Sequence, residues 1–402
     1  MKRNIFIVLS IALAMPVITR AEQKPLKVFI LSGQSNMQGH AHVSTFDTMR
    51  LDPKTAPILG AMRDSKGEPT VCNKVWISSI GSSESEKTGT LTAGFGADQR
   101  GPKIGPEFTF GIYVEKMLNE PVLIIKTAWG GKSINTDFRP PSAGPYEFNE
   151  AQLANFKKQG KDLAEMKKEK AEATGHYYRL MMEHVKLVLG DIKRVYPDYD
   201  EKAGHELAGF VWFQGWNDMV DGGTYPERGK PGGYDAYSEV LTHFIRDVRK
   251  DLEAPKLPFV IGVIGVGGPT EMYGPDQKRY KGIHQSIRDA MAAPASLPEF
   301  KGNVTAVLTE DYWDHEVMAL RKREKAIKAE EKKLREEGEL SRDEQKAAIE
   351  KLYDKEFNET EMEILKKSTS NFEFHYLGSA KVISQIGKGF AEAWAQLAGV
   401  KN

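Results

Sequence analysis

The sequence repeats one pattern, in which a short apolar run ends in glycine and polar residues and a longer amphipathic segment follows. The main runs lie at 28–31, 121–128, 207–213, 258–266 and 304–308. A continuous apolar run of this length is typical of a strand that is buried on both faces. Alternation of such strands with helices predicts an α/β fold with a central parallel sheet and helices on both faces.

The charge balance and the cysteine content exclude several classes of protein. Lys plus Arg and Asp plus Glu both number 56, so the net charge is zero and no basic excess indicates a nucleic-acid partner. Cys72 is the single cysteine, which rules out an intramolecular disulfide, and neither the count nor the spacing suggests a cysteine-ligated metal. We predict no metal site. A chain of 402 residues can form one large domain, which we place at 22–402.

The N-terminus has the three parts of a secretory signal. Residues 1–3 are basic, 5–18 are largely apolar, and 19–21 end in the small residue Ala21. The apolar run is short for a bilayer span. We predict a signal peptide at 1–21 and an exported protein, periplasmic or secreted, with no membrane attachment after cleavage.

A charged segment at about 316–367 interrupts the alternation of strands and helices. It is dense in Lys, Glu and Arg, and Ser341 with Glu344 has the spacing of a capping box that starts a helix. Gly338 separates this helix from the preceding one. The pattern predicts an inserted helical hairpin, which is either a solvated protrusion or a surface for self-association. The lack of a sustained apolar seam favours the protrusion.

Three of the strand ends carry residues suited to ester hydrolysis. The first run leads into Ser35, the second into Gly130 and Gly131, and the third into Asn217. Parallel α/β sheets place their ligands at the carboxyl ends of the strands. Ser35 is a candidate nucleophile, and the N–H groups of Ser35 and Gly131 with the Asn217 amide are candidate oxyanion donors. His375, in a loop before the last helix, is the candidate base.

These motifs resemble those of a known family. Residues 33–37 (Gly-Gln-Ser-Asn-Met), 129–131 (Trp-Gly-Gly), 215–218 (Gly-Trp-Asn-Asp) and a late His375 are similar, in this order, to the four blocks of the SGNH hydrolases. The first block and Trp-Phe-Gln-Gly look most like the sialate O-acetylesterase and carbohydrate esterase family six branch. The resemblance implies a three-layer α/β/α sandwich and cofactor-free removal of O-acetyl groups from sugars such as sialic acid or xylan.

The sequence departs from the family at the acid that orients the histidine. The family usually has Asp three residues before the histidine, and here that position is Phe372. Glu373 is our first candidate for the orienting acid. The alternatives are Asp218, Asp311, Asp314 or a Ser–His dyad without an acid. Trp216 also stands where many members of the branch carry Glu.

The candidate substrate contacts lie within the same motifs. They are Gln34, Trp129, Gln214 and Trp216, and Trp313 is a further aromatic that could stack on a sugar ring. Two other interpretations stay open. The missing acid is compatible with a catalytically impaired carbohydrate-binding module, and the same chemistry would also act on a lipid or aryl ester. The first interpretation, an acetylesterase acting on acetylated carbohydrate through an acyl-enzyme, accounts for all four motifs.

Overall fold

A computed structural model describes residues 24–400. The predicted signal peptide at 1–21 lies outside the described residues. No helix within the described range combines the length and the apolar character needed to cross a membrane.

The strands of the described range form one large sheet and one small one. The strands are β1 (Leu26–Gly33), β2 (Ala41–His42), β3 (Cys72–Gly81), β4 (Lys87–Leu91), β5 (Lys103–Ile104), β6 (Val122–Ala128), β7 (His205–Phe213), β8 (Phe259–Val263) and β9 (Val304–Leu308). Seven of them form a sheet in the order β4-β3-β6-β1-β7-β8-β9, while β2 and β5 form a separate antiparallel pair. All neighbours in the large sheet are parallel except β3 and β4.

Helices connect and cover these strands. They are α1 (Ser35–Gln38), α2 (Ala56–Met62), α3 (Pro106–Leu118), α4 (Glu150–Lys158), α5 (Leu163–Ala173), α6 (His176–Gly190), α7 (Trp216–Val220), α8 (Asp235–Asp251), α9 (Lys281–Ala292), α10 (His315–Glu337), α11 (Arg342–Glu356), α12 (Glu359–Lys367) and α13 (Ala380–Ala398).

Both faces of β1 are buried under helices, as the predicted sandwich requires. Phe29 contacts Phe110 of α3 and Trp394 of α13, with ring centroids 5.3 and 4.7 Å apart. Trp212 on the neighbouring strand contacts Phe244 of α8 at 4.3 Å on the opposite face. The apolar runs found in the sequence therefore form the middle layer of an α/β/α sandwich, which confirms the predicted fold class.

The register of the sheet aligns the three strand ends that carry the sequence motifs. Gly33 of β1 pairs with Ala128 of β6 on one side and with Phe213 of β7 on the other. A Cβ at Gly33 would lie 2.1 Å from the Phe213 carbonyl oxygen, so only glycine fits this approach. The loops that begin after these residues consequently leave the sheet side by side.

The edge of the sheet was not predicted. The apolar runs found in the sequence include neither β3, which extends over ten residues, nor β4, with which it forms an antiparallel pair. Residues of β4 are mostly exposed or half-buried. An edge strand of this kind buries little apolar surface, and its composition therefore lacks the apolar signal of the central strands.

The charged segment contains three helices where two were predicted. Gly338, with φ of 64°, ends α10, and Ser341 caps α11 with a complete capping box involving Glu344. Asn358 provides another capping box, which starts the additional helix α12. That helix packs against the main domain, where Glu363 pairs with Arg50 at 2.6 Å. Self-association through this segment stays a prediction.

Candidate active site

Ser35 is the first residue of the single-turn helix α1, immediately beyond the end of β1. Its neighbour Gln34 has extended backbone angles, and Ser35 itself is 7% exposed. The first N–H groups of a helix have no acceptor within the helix. The Ser35 hydroxyl and its own N–H therefore stand at the same end of this turn, at the carboxyl edge of the sheet.

A buried ion pair fixes the other end of α1. Lys126 of β6 donates from Nζ to the carbonyl oxygens of Gln38 and Phe95, at 2.8 and 2.9 Å, and to Glu107 Oε2 at 2.6 Å. Burial lowers the pKa of Lys126, and the adjacent Glu107 carboxylate opposes this shift. The three hydrogen bonds satisfy the ammonium group and hold the last turn of α1 against β6.

The side chain of Gln34 connects the serine loop to the loop after β7. Its Oε1 accepts hydrogen bonds from Gln214 Nε2 at 3.1 Å and from the N–H groups of Gly215 and Asn217, both at 3.3 Å. One buried amide oxygen therefore positions the start of α7, and Asn217 with it, next to the residue that precedes Ser35.

Asp218 also holds the loop after β7 in place, through hydrogen bonds of its carboxylate. Its carboxylate accepts hydrogen bonds from the N–H groups of Ile134 (2.8 Å) and Asn135 (3.2 Å), from Gln214 Nε2 (2.6 Å) and from the Tyr225 hydroxyl (2.9 Å). Burial raises the pKa of Asp218 to about 6, against the opposing effect of these hydrogen bonds. The carboxylate is occupied by this network and does not contact the histidine, so it is not the orienting acid.

The glycine pair after β6 approaches Ser35. A Cβ placed on Gly130 would lie 3.8 Å from Ser35 Cβ, and the Gly130 N–H donates to Ser82 Oγ at 3.0 Å. Neither the N–H of Gly131 nor the side-chain amide of Asn217 has a hydrogen-bond partner among residues 24–400. These two donors are therefore free to bind another group.

His375 lies in the turn at 373–378 that precedes α13, and this turn packs against α1. Its ring stacks on His40 with centroids 3.8 Å apart and an interplanar angle of 2°. Its Nδ1 is 3.0 Å from Asn371 Oδ1. Within the described part of the chain, the ring makes no hydrogen bond with Ser35 Oγ. Catalytic hydrogen bonds are often long in the absence of substrate.

The two stacked histidines are both held in the neutral form. Burial, with a smaller contribution from the positive charge of Lys103, lowers the pKa of His375 to about 4. Burial also lowers the pKa of His40 to about 3, with smaller contributions from His375, Lys103 and Lys126. A neutral imidazole has a free lone pair, which a general base requires.

Hydrogen bonds fix the histidine turn at both sides. Ser370 Oγ donates to the His40 carbonyl oxygen at 3.2 Å, which connects the turn to the end of the serine loop. The buried Tyr376 hydroxyl accepts from the Gly265 N–H at 2.7 Å and lies 2.6 Å from Thr309 Oγ1. These partners follow β8 and β9, so the turn is attached to the same edge of the sheet as Ser35.

None of the predicted acids contacts His375. Glu373 is exposed, lines a cavity of about 490 Å³ beside α10, and makes no hydrogen bond with His375. Asp314 caps α10 by accepting from the Val317 N–H at 3.2 Å, and Asp311 is exposed. The expected contact between Glu373 and His375 is thus replaced by Asn371, which the sequence analysis did not identify.

Three of the four expected substrate contacts are buried. Gln34 and Gln214 are 0% exposed and Trp129 is 3% exposed, so their side chains offer no surface to a sugar ring. Their roles are internal, because the two glutamines bond to each other and Trp129 packs on Phe138 and Tyr177. Trp216 is partly exposed.

Aromatic side chains lie next to the histidine. Trp216 packs on Phe374 in a tilted arrangement, with ring centroids 5.7 Å apart, and Phe374 contacts the ring of His375 edge-on at 4.4 Å. Phe372 stacks on Phe374, with ring centroids 5.3 Å apart, and is 67% exposed. These three residues, Phe372, Phe374 and Trp216, form an aromatic run that leads from solvent to the histidine.

The fold and the site define an α/β sandwich with a candidate hydrolytic centre at the carboxyl edge of its sheet. The chain belongs to the family described as "Carbohydrate esterase, sialic acid-specific acetylesterase", whose model matches residues 25–296. The matched segment is more than half of the chain. It contains Ser35, Gly130 and Asn217, and it ends before His375. Membership supports a hydrolase of the carbohydrate acetylesterase type.

Solved structures and curated proteins add little to this assignment. A protein from Arabidopsis thaliana is 18% identical, with a TM-score of 0.36, over 71% of this chain and 86% of that one. A carbohydrate acetylesterase from Xanthomonas citri is 14% identical, with a TM-score of 0.38, over 71% of this chain and 50% of that one. Comparison with curated proteins gave no match.

Proposed function

We propose that this protein is a serine esterase that removes O-acetyl groups from carbohydrates through an acyl-enzyme. One observation carries the proposal. In a chain of the carbohydrate esterase family, the loops that hold Ser35, Gly131 and Asn217 leave three adjacent strands in register. The histidine turn is attached to the same edge of the sheet.

The proposed reaction has two steps. Ser35 Oγ attacks the acetyl carbonyl carbon while His375 Nε2 accepts the hydroxyl proton. The tetrahedral intermediate collapses, the bond between the acetyl carbon and the sugar oxygen breaks, and His375 returns the proton to that oxygen. Water then attacks the acetyl-serine with His375 again as the base, which releases acetate and restores Ser35.

The negative oxygen of each intermediate would be stabilised by the N–H groups of Ser35 and Gly131 and by the Asn217 amide. The latter two donors have no partner among the described residues. Preorganised donors of this kind contribute about 3 kcal/mol each to transition-state stabilisation. Gln34 and Asp218 hold the Asn217 loop in place before substrate binds, so little reorganisation is needed.

The sugar would bind over the aromatic run of Phe372, Phe374 and Trp216. Aromatic faces stack favourably on the apolar faces of sugar rings, and this run lies against the histidine that would protonate the leaving sugar oxygen. The substrate class is an O-acetylated sugar of the sialic acid or xylan type. We also propose that the protein is exported.

The second candidate is a carbohydrate-binding module in which catalysis has been lost. It is favoured by one observation, the lack of any carboxylate in hydrogen-bond contact with His375 among the described residues. A serine-reactive fluorophosphonate probe separates the two candidates, because it labels an activated serine and not an inert one. Labelling of Ser35 would exclude the binding module.

The main experiment measures acetate release by the wild-type protein and by Ser35→Ala. The substrates are p-nitrophenyl acetate, O-acetylated sialic acid and acetylated xylan. We expect the variant to lose a factor of at least about 10³ in kcat while remaining folded. Ser83→Ala, at an exposed position nearby, is the matched control and should keep full activity. Equal activity in Ser35→Ala and the wild type would refute the serine mechanism.

A further inference from the structure

We propose that Asn371 is the positioning residue of His375, so that an amide takes the place of the carboxylate that normally orients a catalytic histidine. The inference rests on the proposed function, because it assigns a role within the same reaction. The separation of 3.0 Å between Asn371 Oδ1 and His375 Nδ1 is its first observation.

The orientation of the Asn371 amide follows from a second contact. Its Oδ1 accepts a hydrogen bond from the Phe372 N–H at 2.7 Å. A backbone N–H can only donate, so this end of the amide is the oxygen. An oxygen can only accept from the His375 ring, which therefore carries its proton on Nδ1. The lone pair is then on Nε2, where a general base needs it.

His40 explains why an amide suits this position. Asn371 Nδ2 lies 3.5 Å from His40 Nδ1, while the His40 ring stacks on the ring of His375. An amide has an acceptor for one histidine and a donor for the other, whereas a carboxylate has acceptors only. Asn371 thus fixes the tautomer of His375 and makes a second, longer contact with His40.

The charges around this group favour the same protonation state. Lys103 acts on both rings and Lys126 acts on His40, and each disfavours a positively charged imidazole. Glu373 is the nearest acid to His375 in the sequence. It is exposed and lines the cavity beside α10. No negative group of the described chain bonds to either ring. These charges favour the neutral form of both His40 and His375.

The test uses Asn371→Asp and Asn371→Ala in the full protein. The Asp variant places a negative charge beside Nδ1, and an opposite charge at this distance shifts a pKa by about one to three units. We expect the acidic limb of kcat/KM to move upward by that amount. The Ala variant should lose about 10- to 100-fold in kcat with little change in KM, which is the loss typical when the hydrogen-bond partner of a metal-ligating histidine is removed.

Titration of the His375 ring by NMR, in a Ser35→Ala background, supplies a readout that does not depend on activity. Asn371→Asp should raise the ring pKa, and an unchanged pKa and pH profile would overturn the proposal. Full activity of Asn371→Ala with a loss in Glu373→Gln would also overturn it, by restoring the acid assignment. If wild type and Ser35→Ala are equally inactive, the proposed function fails, and the ring titration still decides the role of Asn371.

Discussion

Replacing Asp218 by Asn should remove a pH-dependent part of the stability of this protein. The side chain is 1% exposed, and burial raises its pKa from 3.8 to about 6. The folded state therefore binds a proton more tightly than the unfolded state does. Because the unfolded chain loses this proton first, the contribution of Asp218 to the free energy of unfolding falls as the pH rises from about 4 to about 6.

The size of the effect follows from the shift in pKa. Each pKa unit corresponds to about 1.4 kcal/mol, so a shift of about two units corresponds to about 3 kcal/mol of unfolding free energy once the pH exceeds both values. Asn at this position is neutral at every pH. The stability difference between wild type and variant should therefore change by about 2 to 3 kcal/mol between about pH 4 and about pH 7, with wild type relatively less stable at the higher pH.

The substitution also has a part that does not depend on pH. One oxygen of Asp218 becomes an NH2 group, and it faces either the N–H of Ile134 or that of Asn135, since each oxygen accepts one of them. An unsatisfied buried donor costs about 1–3 kcal/mol. This cost lowers the free energy of unfolding of the variant by the same amount at every pH, so it does not change how that free energy depends on pH.

Urea denaturation of both proteins at four values from about pH 4 to about pH 7 measures the difference. A difference for Asp218→Asn that stays constant within about 1 kcal/mol across this range would refute the reasoning, because about 2 kcal/mol is the least that the raised pKa implies.

Three further predictions concern the site and its supports. The acidic limb of kcat/KM should report His375 near its lowered pKa of about 4, so activity on p-nitrophenyl acetate should persist at about pH 5; a midpoint near 6.5 would contradict this. Gly33→Ala should lower the free energy of unfolding by about 1–3 kcal/mol or more, because its Cβ would overlap the Phe213 carbonyl. Gly60→Ala, in helix α2 with nothing within 4 Å, is the control and should raise the free energy of unfolding by up to about 1 kcal/mol in the same denaturation experiment. Phe372→Ala should raise KM for acetylated glycans several-fold and leave KM for p-nitrophenyl acetate unchanged, and an equal effect on both would argue against sugar stacking.

The sequence was sufficient to predict that Ser35, Gly131 and Asn217 would follow adjacent strand ends, because the three strands belong to one sheet. Apolar runs identify buried parallel strands, and parallel strands place their carboxyl ends at the same edge. The observed register agrees with this expectation, because Gly33 lies opposite both Ala128 and Phe213. The edge strand β4 escaped prediction for the converse reason, since it buries little apolar surface.

The histidine side of the site depends on contacts that local patterns do not encode. Asn371 meets His40 across 331 positions of the chain, and the ring of His375 stacks on the same residue. Neither His40 nor Asn371 belongs to a periodic segment. A polar residue four positions before the histidine was visible in the sequence, but nothing there distinguished it from Glu373.

The backbone of the turn decides which side chain reaches the imidazole. Tyr376 and Leu377 have φ of 51° and 64°, a left-handed conformation that costs non-glycine residues about 1–3 kcal/mol each. The Tyr376 hydroxyl, bonded at the ends of β8 and β9, is the contact that offsets this strain. With the turn held in this form, the chain folds back so that Asn371 faces Nδ1 and Glu373 faces solvent. The identity of the orienting group is therefore a consequence of strained backbone geometry, which residue spacing alone cannot reveal.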